Sequence, residues 1–429
     1  MEISQLHQLY LDHPKVQTDT RKIAKGEIFF ALKGENFNGN TFAIKALELG
    51  AAYVVIDESE YNDINDDRYI LVDNVLDTLQ ALARYHRLQL DIPVLAITGS
   101  NGKTTTKELL VAVLQQQYNV YATAGNLNNH IGIPLTLLSI PLTAEIAVIE
   151  MGANHIGEIA SYCTIALPNY AIINNVGKAH LEGFGSLEGV KKAKGELYDF
   201  IRNTEGTIFR NNDLDYLVTM AQGIPNQITY GTANAQIIGR SIESDTMLRV
   251  VILSTGLETE IQTQLVGNYN TPNVLAAVTV GNYFKIPIET IKKAIEQYQP
   301  SNSRSQLLQK GSNHIILDAY NANPTSMRLA VENFAALSHN NKWLLIGAMK
   351  EMGTESATEH QTLVNLISQL GFQQVILTGK EYQHITHAFL HFSDATQVAQ
   401  YLKKHPIQEA YILIKGSRGS KMELTLDAL

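Results

Sequence analysis

One short loop constrains this chain more than any other part of it. Gly99-Ser100-Asn101-Gly102-Lys103-Thr104 follows the apolar run Val94–Thr98 and precedes a stretch in which Leu109, Leu110, Val113 and Leu114 share a helical face. Strand, glycine-rich turn and helix N-terminus in this order are the parts of a phosphate cradle. Glycines let backbone N–H groups approach an anion. Lys103 would offset β/γ-phosphate charge, and the Thr104 hydroxyl can reach a magnesium ion. The bland alternative is a chance glycine turn, which the ordered context disfavours. The general loop of this type has four residues between its glycines; here only Ser100 and Asn101 separate Gly99 from Gly102, a narrower GxxGKT class.

Such a loop implies an α/β fold with mostly parallel sheets, and the rest of the chain agrees. At roughly 150 residues per domain, 429 residues suggest about three domains. Residues 1–90 carry expected strands at Glu27–Leu32, Tyr53–Ile56 and Tyr69–Val72 and a closing helix at Asp77–Leu90; Pro93 lies just beyond, at a plausible boundary. Residues 91–302 add strands at Val94–Thr98, Ile146–Ile149 and Ala171–Asn174, and 204–265 read as smaller or antiparallel strands. Pro300-Ser301-Asn302-Ser303 is the best linker candidate. Residues 303–429 repeat the alternation, with strands at Ile315–Leu317, Trp343–Ile346, Val375–Thr378 and Tyr411–Ile414.

Charge and cysteine content narrow the partners. Lys+Arg 33 against Asp+Glu 42 gives a net charge of -9, which disfavours sequence-blind nucleic-acid binding. Anionic ligands would have to rely on local cations. The single cysteine, Cys163, excludes an intrachain disulfide and a cysteine-cluster metal site and fits a reducing cytoplasm. The start MEISQLHQLYLDHPK does not read as a signal peptide, and no run of about 18 apolar residues would span a membrane.

Ligands of parallel sheets bind at the carboxyl ends of strands. Glu150 ends the run IAVI, where it would either hold magnesium or cap a helix. The next strand ends in NNVGKAHLEGFG, which contains His180, a metal ligand or a structural histidine. Lys194 lies in an expected helix, Leu187–Ile201, beside an apolar face of Val190, Ala193, Leu197 and Ile201; a solvated basic surface is the simpler reading. Asn270 and Asn273 flank Pro272 at another helix start, as caps or as nucleotide contacts.

TGSNGKTTTKE, GNLNNHIGIPLTLL, IEMGANHIGEIA, NNVGKAHLEGFGS, KAKGEL, GNYNTPNVLAA and DAYNANPTSM occur in this order. Together they resemble the Mur ligase family of peptidoglycan synthesis over essentially the whole chain. GANHxGEIA, AHLEGFGS, AKGE and DAYNANP point to the branch that joins D-alanyl-D-alanine to UDP-MurNAc-tripeptide. The resemblance implies three domains: a UDP-sugar domain, a central P-loop ATPase domain and a C-terminal Rossmann-like domain. It implies that ATP phosphorylates the tripeptide carboxylate and that the dipeptide amine attacks the acyl phosphate. It implies that Gly99, Ser100, Asn101, Gly102, Lys103, Thr104 and Thr105 hold ATP phosphates. Thr104 and Glu150 would bind one magnesium ion, and His180 with carbamylated Lys194 a second. Asn273, and more weakly Asn270, would meet adenine, Arg304 a phosphate and Asp318 the ribose. Tyr320, Asn321 and Asn323 would face the amine substrate. Asn126, Asn128 and Asn129 would face the tripeptide-bearing substrate, and Thr20, Arg21 and Lys33 the UDP group. His360, Lys415 and Arg418 resemble further C-terminal positions.

Two departures stand out: Ser303 precedes Arg304 where many relatives have glycine, and Asn38-Gly39-Asn40 replaces the commoner Asp-Gly-His. A P-loop kinase or motor is disfavoured by the GxxGKT spacing and by the set Glu150, His180 and Lys194. A non-catalytic nucleotide module is disfavoured by the full complement of ionisable residues, and a polyglutamate-type ligase by DAYNANP and AHLEGFGS. The resulting expectation is a cytoplasmic monomer with no nucleic-acid or membrane partner.

Overall fold

A computed structural model describes residues 1–242, 246–254, 257–301 and 303–429. Three main sheets follow one another along the chain. The first is parallel throughout, in the order Val16–Gln17, Ile28–Phe30, Tyr53–Ile56, Tyr69–Leu71. The expected closing helix runs Val75–Gln89, started by Asn74, whose side chain accepts from the Asp77 N–H at 3.0 Å. Its Leu79 and Leu82 share one apolar core with Ile133, Leu137 and Ile159 of the next unit. The first sheet is thereby anchored to the second through side chains excluded from water.

Among the described residues the central sheet has nine strands. Its parallel part runs Asn226–Gly231, Thr207–Asn211, Tyr170–Ile173, Val94–Thr98, Ile146–Glu150, Val120–Ala122. Val94–Thr98 and Ile146–Glu150 are buried at every position, as strands covered by helices on both faces must be. The 204–265 region divides in two. Thr207–Asn211 and Asn226–Gly231 extend the parallel ladder, and Ile237–Ile242, which pairs parallel with it, continues antiparallel to Met247–Ser254 and then Leu257–Val266. The helix Thr271–Tyr283 is buried on nearly all sides against this sheet, which explains why its sequence has no polar stripe.

The third sheet is parallel except for its first strand. Gln306–Lys310 runs antiparallel to Asn313–Asp318, which continues through Tyr411–Lys415, Lys342–Gly347 and Gln374–Thr378 to Leu390–Phe392. The sequence pattern missed the short strands Val16–Gln17, Val120–Ala122 and Leu390–Phe392, which have too few residues to display a period. Asn302, the expected boundary residue, lies outside the described residues.

Candidate active site

The carboxyl ends of the central strands face the C-terminal sheet across a cleft of about 800 Å³. The phosphate loop forms its floor. Gly102 adopts φ 78 and starts the helix Lys103–Leu114. A Cβ there would come within 2.7 Å of Asn273 Oδ1 and 3.1 Å of Asn174 Nδ2, so both the conformation and the space require glycine. Around it lies a buried amide network. Asn174 Nδ2 donates to Thr106 Oγ1 at 2.8 Å, Thr106 Oγ1 donates to Asn273 Oδ1 at 3.1 Å, and Asn273 Nδ2 donates to Asn270 Oδ1 at 2.9 Å. Asn270 and Asn273 are therefore not side-chain caps; they brace the loop from behind.

Lys103 is half-buried, and its Nζ donates to the Gly99 carbonyl at 2.6 Å. Burial holds its pKa below the usual lysine range; Glu150 opposes that shift and the Arg304 cation adds to it. Thr104 Oγ1 donates to Glu150 Oε2 at 2.9 Å, and Asn128 Nδ2 donates to Glu150 Oε1 at 2.8 Å. Glu150 is thus no helix cap. It is a buried carboxylate at a strand end, paired with the hydroxyl expected to share its ion. These oxygen donors fit magnesium, which needs only one or two protein groups when phosphate and water complete its shell. Among the described residues, no three His, Cys, Asp or Glu side chains converge as a metal site.

Lys194 overturns the reading of a solvated basic surface. The helix runs Leu187–Asn203 and Lys194 is only 2% exposed, with its ammonium 5.4 Å from the Phe184 ring centroid. Burial first, then the Lys103 charge, pushes its pKa down to about 7 against the pull of Glu158 and Glu196. It does not line the cleft itself. His180 does, and its Nδ1 sits 2.5 Å from Glu351 Oε2. That contact holds the Glu351 carboxyl below its usual range despite partial burial. Glu351 had no place in the sequence reading; no motif singled it out.

The C-terminal wall brings Arg304, Asp318, Tyr320, Asn321 and Asn323 to the same cleft. Arg304 stacks on Tyr320, with its guanidinium carbon 3.6 Å from the ring centroid; Arg418 approaches the same ring at 5.8 Å. Ser303 and Ser305 flank Arg304 at φ 56 and φ 45, left-handed conformations that cost a non-glycine residue about 1–3 kcal/mol each. Asp318 accepts from the Ser305 N–H at 3.2 Å and pairs with the buried Lys415. Asn323 has two uses. Its Oδ1 caps the helix Pro324–Ala336 at the Ser326 N–H, 2.9 Å away, and its Nδ2 donates to Asn101 Oδ1 of the phosphate loop at 2.7 Å.

Other expected residues stand differently. Asn126 and Asn129 line the cleft, but the Asn129 side chain also accepts from the Gly132 N–H at 2.9 Å, at the start of a helix. His360 is fully buried, with Nε2 accepting from the Met349 N–H at 3.0 Å and Nδ1 meeting the Ser356 carbonyl at 2.7 Å. Both ring nitrogens are satisfied by backbone, and burial holds its pKa below the usual imidazole range. Thr20, Arg21 and Lys33 lie on the first unit, away from the cleft. Arg21 is paired with Asp19 of its own turn at 2.8 Å, and Lys33 with Asp57 at 3.0 Å and Glu58 at 3.2 Å.

A phosphate loop opposed by a second α/β sheet, with a third sheet anchored ahead of both, defines the class. The chain belongs to the Mur ligase family: the Mur ligase family catalytic domain matches residues 15–87, the Mur ligase middle domain 97–281, and the glutamate ligase domain 303–418. Its relatives specify a branch. The UDP-N-acetylmuramoyl-tripeptide–D-alanyl-D-alanine ligase of Bacillus subtilis is 36% identical, over 95% of this chain and 91% of that one. The enzyme of the same name from Escherichia coli is 36% identical over 96% and 93%. Among solved structures, MurF from Acinetobacter baumannii superposes with a TM-score of 0.86 at 29% identity, covering 96% and 93% of the two chains. MurF ligase from Thermotoga maritima in complex with ADP gives 0.86 at 26%, covering 96% of each.

Proposed function

We propose that this chain is the ATP-dependent ligase that joins D-alanyl-D-alanine to UDP-MurNAc-tripeptide and so makes the UDP-MurNAc-pentapeptide precursor. The observation that carries this reading is the single cleft in which Lys103, Thr104 and Glu150 face Arg304, Asp318 and Tyr320 from a separate sheet. Near-complete coverage by relatives of that name supports it. The residue ranges 1–90, 91–302 and 303–429 would then be a UDP-sugar holder, an ATP site and an amine-presenting lid. A cytoplasmic monomer fits the nature of these substrates. Among the described residues no helix is long and apolar enough to cross a membrane.

The chemistry explains the residue types. A carboxylate is a poor electrophile, so its oxygen attacks the γ-phosphorus and ADP departs. Carboxylate and triphosphate repel each other, and Lys103 and Arg304 offset that repulsion inside a cleft where charges act strongly. The amine then attacks the acyl carbon, a tetrahedral intermediate collapses, phosphate leaves and the nitrogen loses a proton. Thr104 and Glu150 would hold magnesium, which when bound supplies further neutralisation of phosphate charge. Lys194 as a free amine is no magnesium ligand. Its pKa of about 7 leaves a substantial fraction of it as the free amine near neutrality, whose nitrogen can attack CO2, forming a carbamate and releasing a proton; with His180, that carboxylate-like group would serve a second ion. Asn321 and Asn323 would orient the dipeptide, while Asn126 and Asn128 would meet the tripeptide. Thr20, Arg21 and Lys33 remain candidates for UDP.

Purified protein with magnesium, ATP and UDP-MurNAc-tripeptide should release ADP only when D-alanyl-D-alanine is added, with pentapeptide appearing in equal amount. Absence of dipeptide-dependent ADP release from authentic substrates would overturn the reading.

A further inference from the structure

We propose that Glu351 is a positioning residue: a carboxylate carried by the C-terminal unit that fixes the His180 imidazole of the central unit, so that the site is completed only when the two units dock. The inference rests on the ligase reading for its functional consequence and on geometry for its existence. His180 ends the loop after the strand Tyr170–Ile173, and Glu351 follows the strand Lys342–Gly347. Their side chains meet at 2.5 Å between Nδ1 and Oε2, and the Glu182 N–H reaches the Glu351 carbonyl at 3.4 Å. Both residues lie in the left-handed region, His180 at φ 50 and Glu351 at φ 62. Neither is glycine, so each holds an unfavourable backbone conformation at the point of contact. Strain of this kind persists where surrounding structure demands it, and here it turns two side chains from different units toward each other.

The consequence follows from imidazole chemistry. The partner of one ring nitrogen sets the orientation and tautomer of the other. The Nδ1–Oε2 approach is an ion-pair contact rather than an aligned hydrogen bond; with the Glu351 carboxylate set against Nδ1, Nε2 is the nitrogen left for the cleft that His180 lines. Other contacts across the same seam cannot do this. Lys178 meets Glu359 at 2.6 Å and Asn323 meets Asn101 at 2.7 Å, but neither touches His180. Docking and imidazole orientation are therefore separable by mutation.

The test uses the full-length protein with isotope-labelled histidine. The His180 ring resonances are assigned by their loss in His180→Gln. In Glu351→Ala they should move to those of a ring without a fixed Nδ1 partner, whereas in Glu359→Gln they should stay. In the ligase assay, Glu351→Ala should lower kcat by about 10- to 100-fold, the usual effect of removing a carboxylate behind a functional histidine. The KM for ATP should change little, and Glu351→Gln, which keeps an acceptor oxygen, should recover part of the loss. Unmoved His180 resonances in Glu351→Ala would overturn the proposal, and so would equal kcat losses in Glu351→Ala and Glu359→Gln. A wild-type protein without ligase activity would defeat the functional reading alone, because the resonances report the pair independently.

Discussion

The two walls of the cleft are built on different principles. The central wall is a buried hydrogen-bond lattice: Thr104 on Glu150, Asn128 on Glu150, and the chain from Asn174 through Thr106 to Asn273. The C-terminal wall meets it through scattered polar contacts, among them Asn323 on Asn101, Glu351 on His180 and Glu359 on Lys178, and through a shared apolar core that includes Phe184, Met327 and Met352. Buried networks lock a geometry because each unpaired group would be costly. Rim contacts exchange readily with water and salt. A loop braced by a buried lattice, facing a second wall across a cleft, suits a reaction whose acyl phosphate must be shielded from water once formed and whose product must then leave.

The largest break in this comparison should come from the rigid side. Lys103→Ala removes the cation at the loop while leaving the Thr104–Glu150 pair in place. Turnover should fall by about 10²–10³-fold, the scale for losing one preorganised electrostatic group, measured as dipeptide-dependent ADP release. Activity close to that of the unaltered protein would remove Lys103 from its role. Lys194 comes next. Its depressed pKa fixes the sign: the amine is charged below about 7 and free above it, so carbamate should accumulate as pH rises through that value. Labelled bicarbonate should give a carbamate carbon signal that follows this profile and vanishes in Lys194→Ala, with activity about 10- to 100-fold lower. A pH-independent signal, or an active enzyme with no signal, would refute the modification.

Lys194 also marks the limit of what the sequence disclosed. The phosphate loop was legible because glycines, lysine and threonine at fixed spacing need no tertiary context, and the long strands because they are uniformly apolar. The helix around Lys194 was legible too, but the residue's depth was not. It lies four residues after Val190 and three before Leu197, beside the apolar face, where a lysine reads as part of a solvated basic surface. Only the packing of Phe184 over it reveals the burial. Glu351 was illegible for another reason. Its partner His180 is 171 residues away, and an acidic residue in a polar loop carries no periodic signal. His360 failed in the opposite sense, since family position suggested a role that two backbone partners already occupy.

A smaller effect should follow at the rim. Asn323→Ala deletes a neutral hydrogen bond to the loop and the cap of its own helix. The bond alone is worth about 1 kcal/mol, roughly fivefold in kcat/KM. Asn323→Asp keeps the cap oxygen but loses the donor to Asn101, so it separates the two uses: stability should return while kcat/KM stays low. If thermal stability and kcat/KM recover together, the contact with Asn101 plays no part in closure.

The smallest effect is expected at Lys178 and Glu359, and its asymmetry sharpens the comparison most. The Lys178 side chain is 49% exposed and the Glu359 side chain only 7%. Glu359→Gln leaves a lysine that water can solvate, so it should cost under about 1 kcal/mol. Lys178→Met strands a shielded carboxylate without its partner and should cost more. The same logic predicts that added salt, which shortens the screening length to about 3 Å near 1 M, weakens the exposed member's contribution without disturbing the buried lattice of the central wall. The difference between kinetics in low and high salt should therefore be smaller for Glu359→Gln than for the unaltered protein. A salt dependence that survives this substitution in full would place the exchangeable contact elsewhere on the seam, at the pair His180 and Glu351.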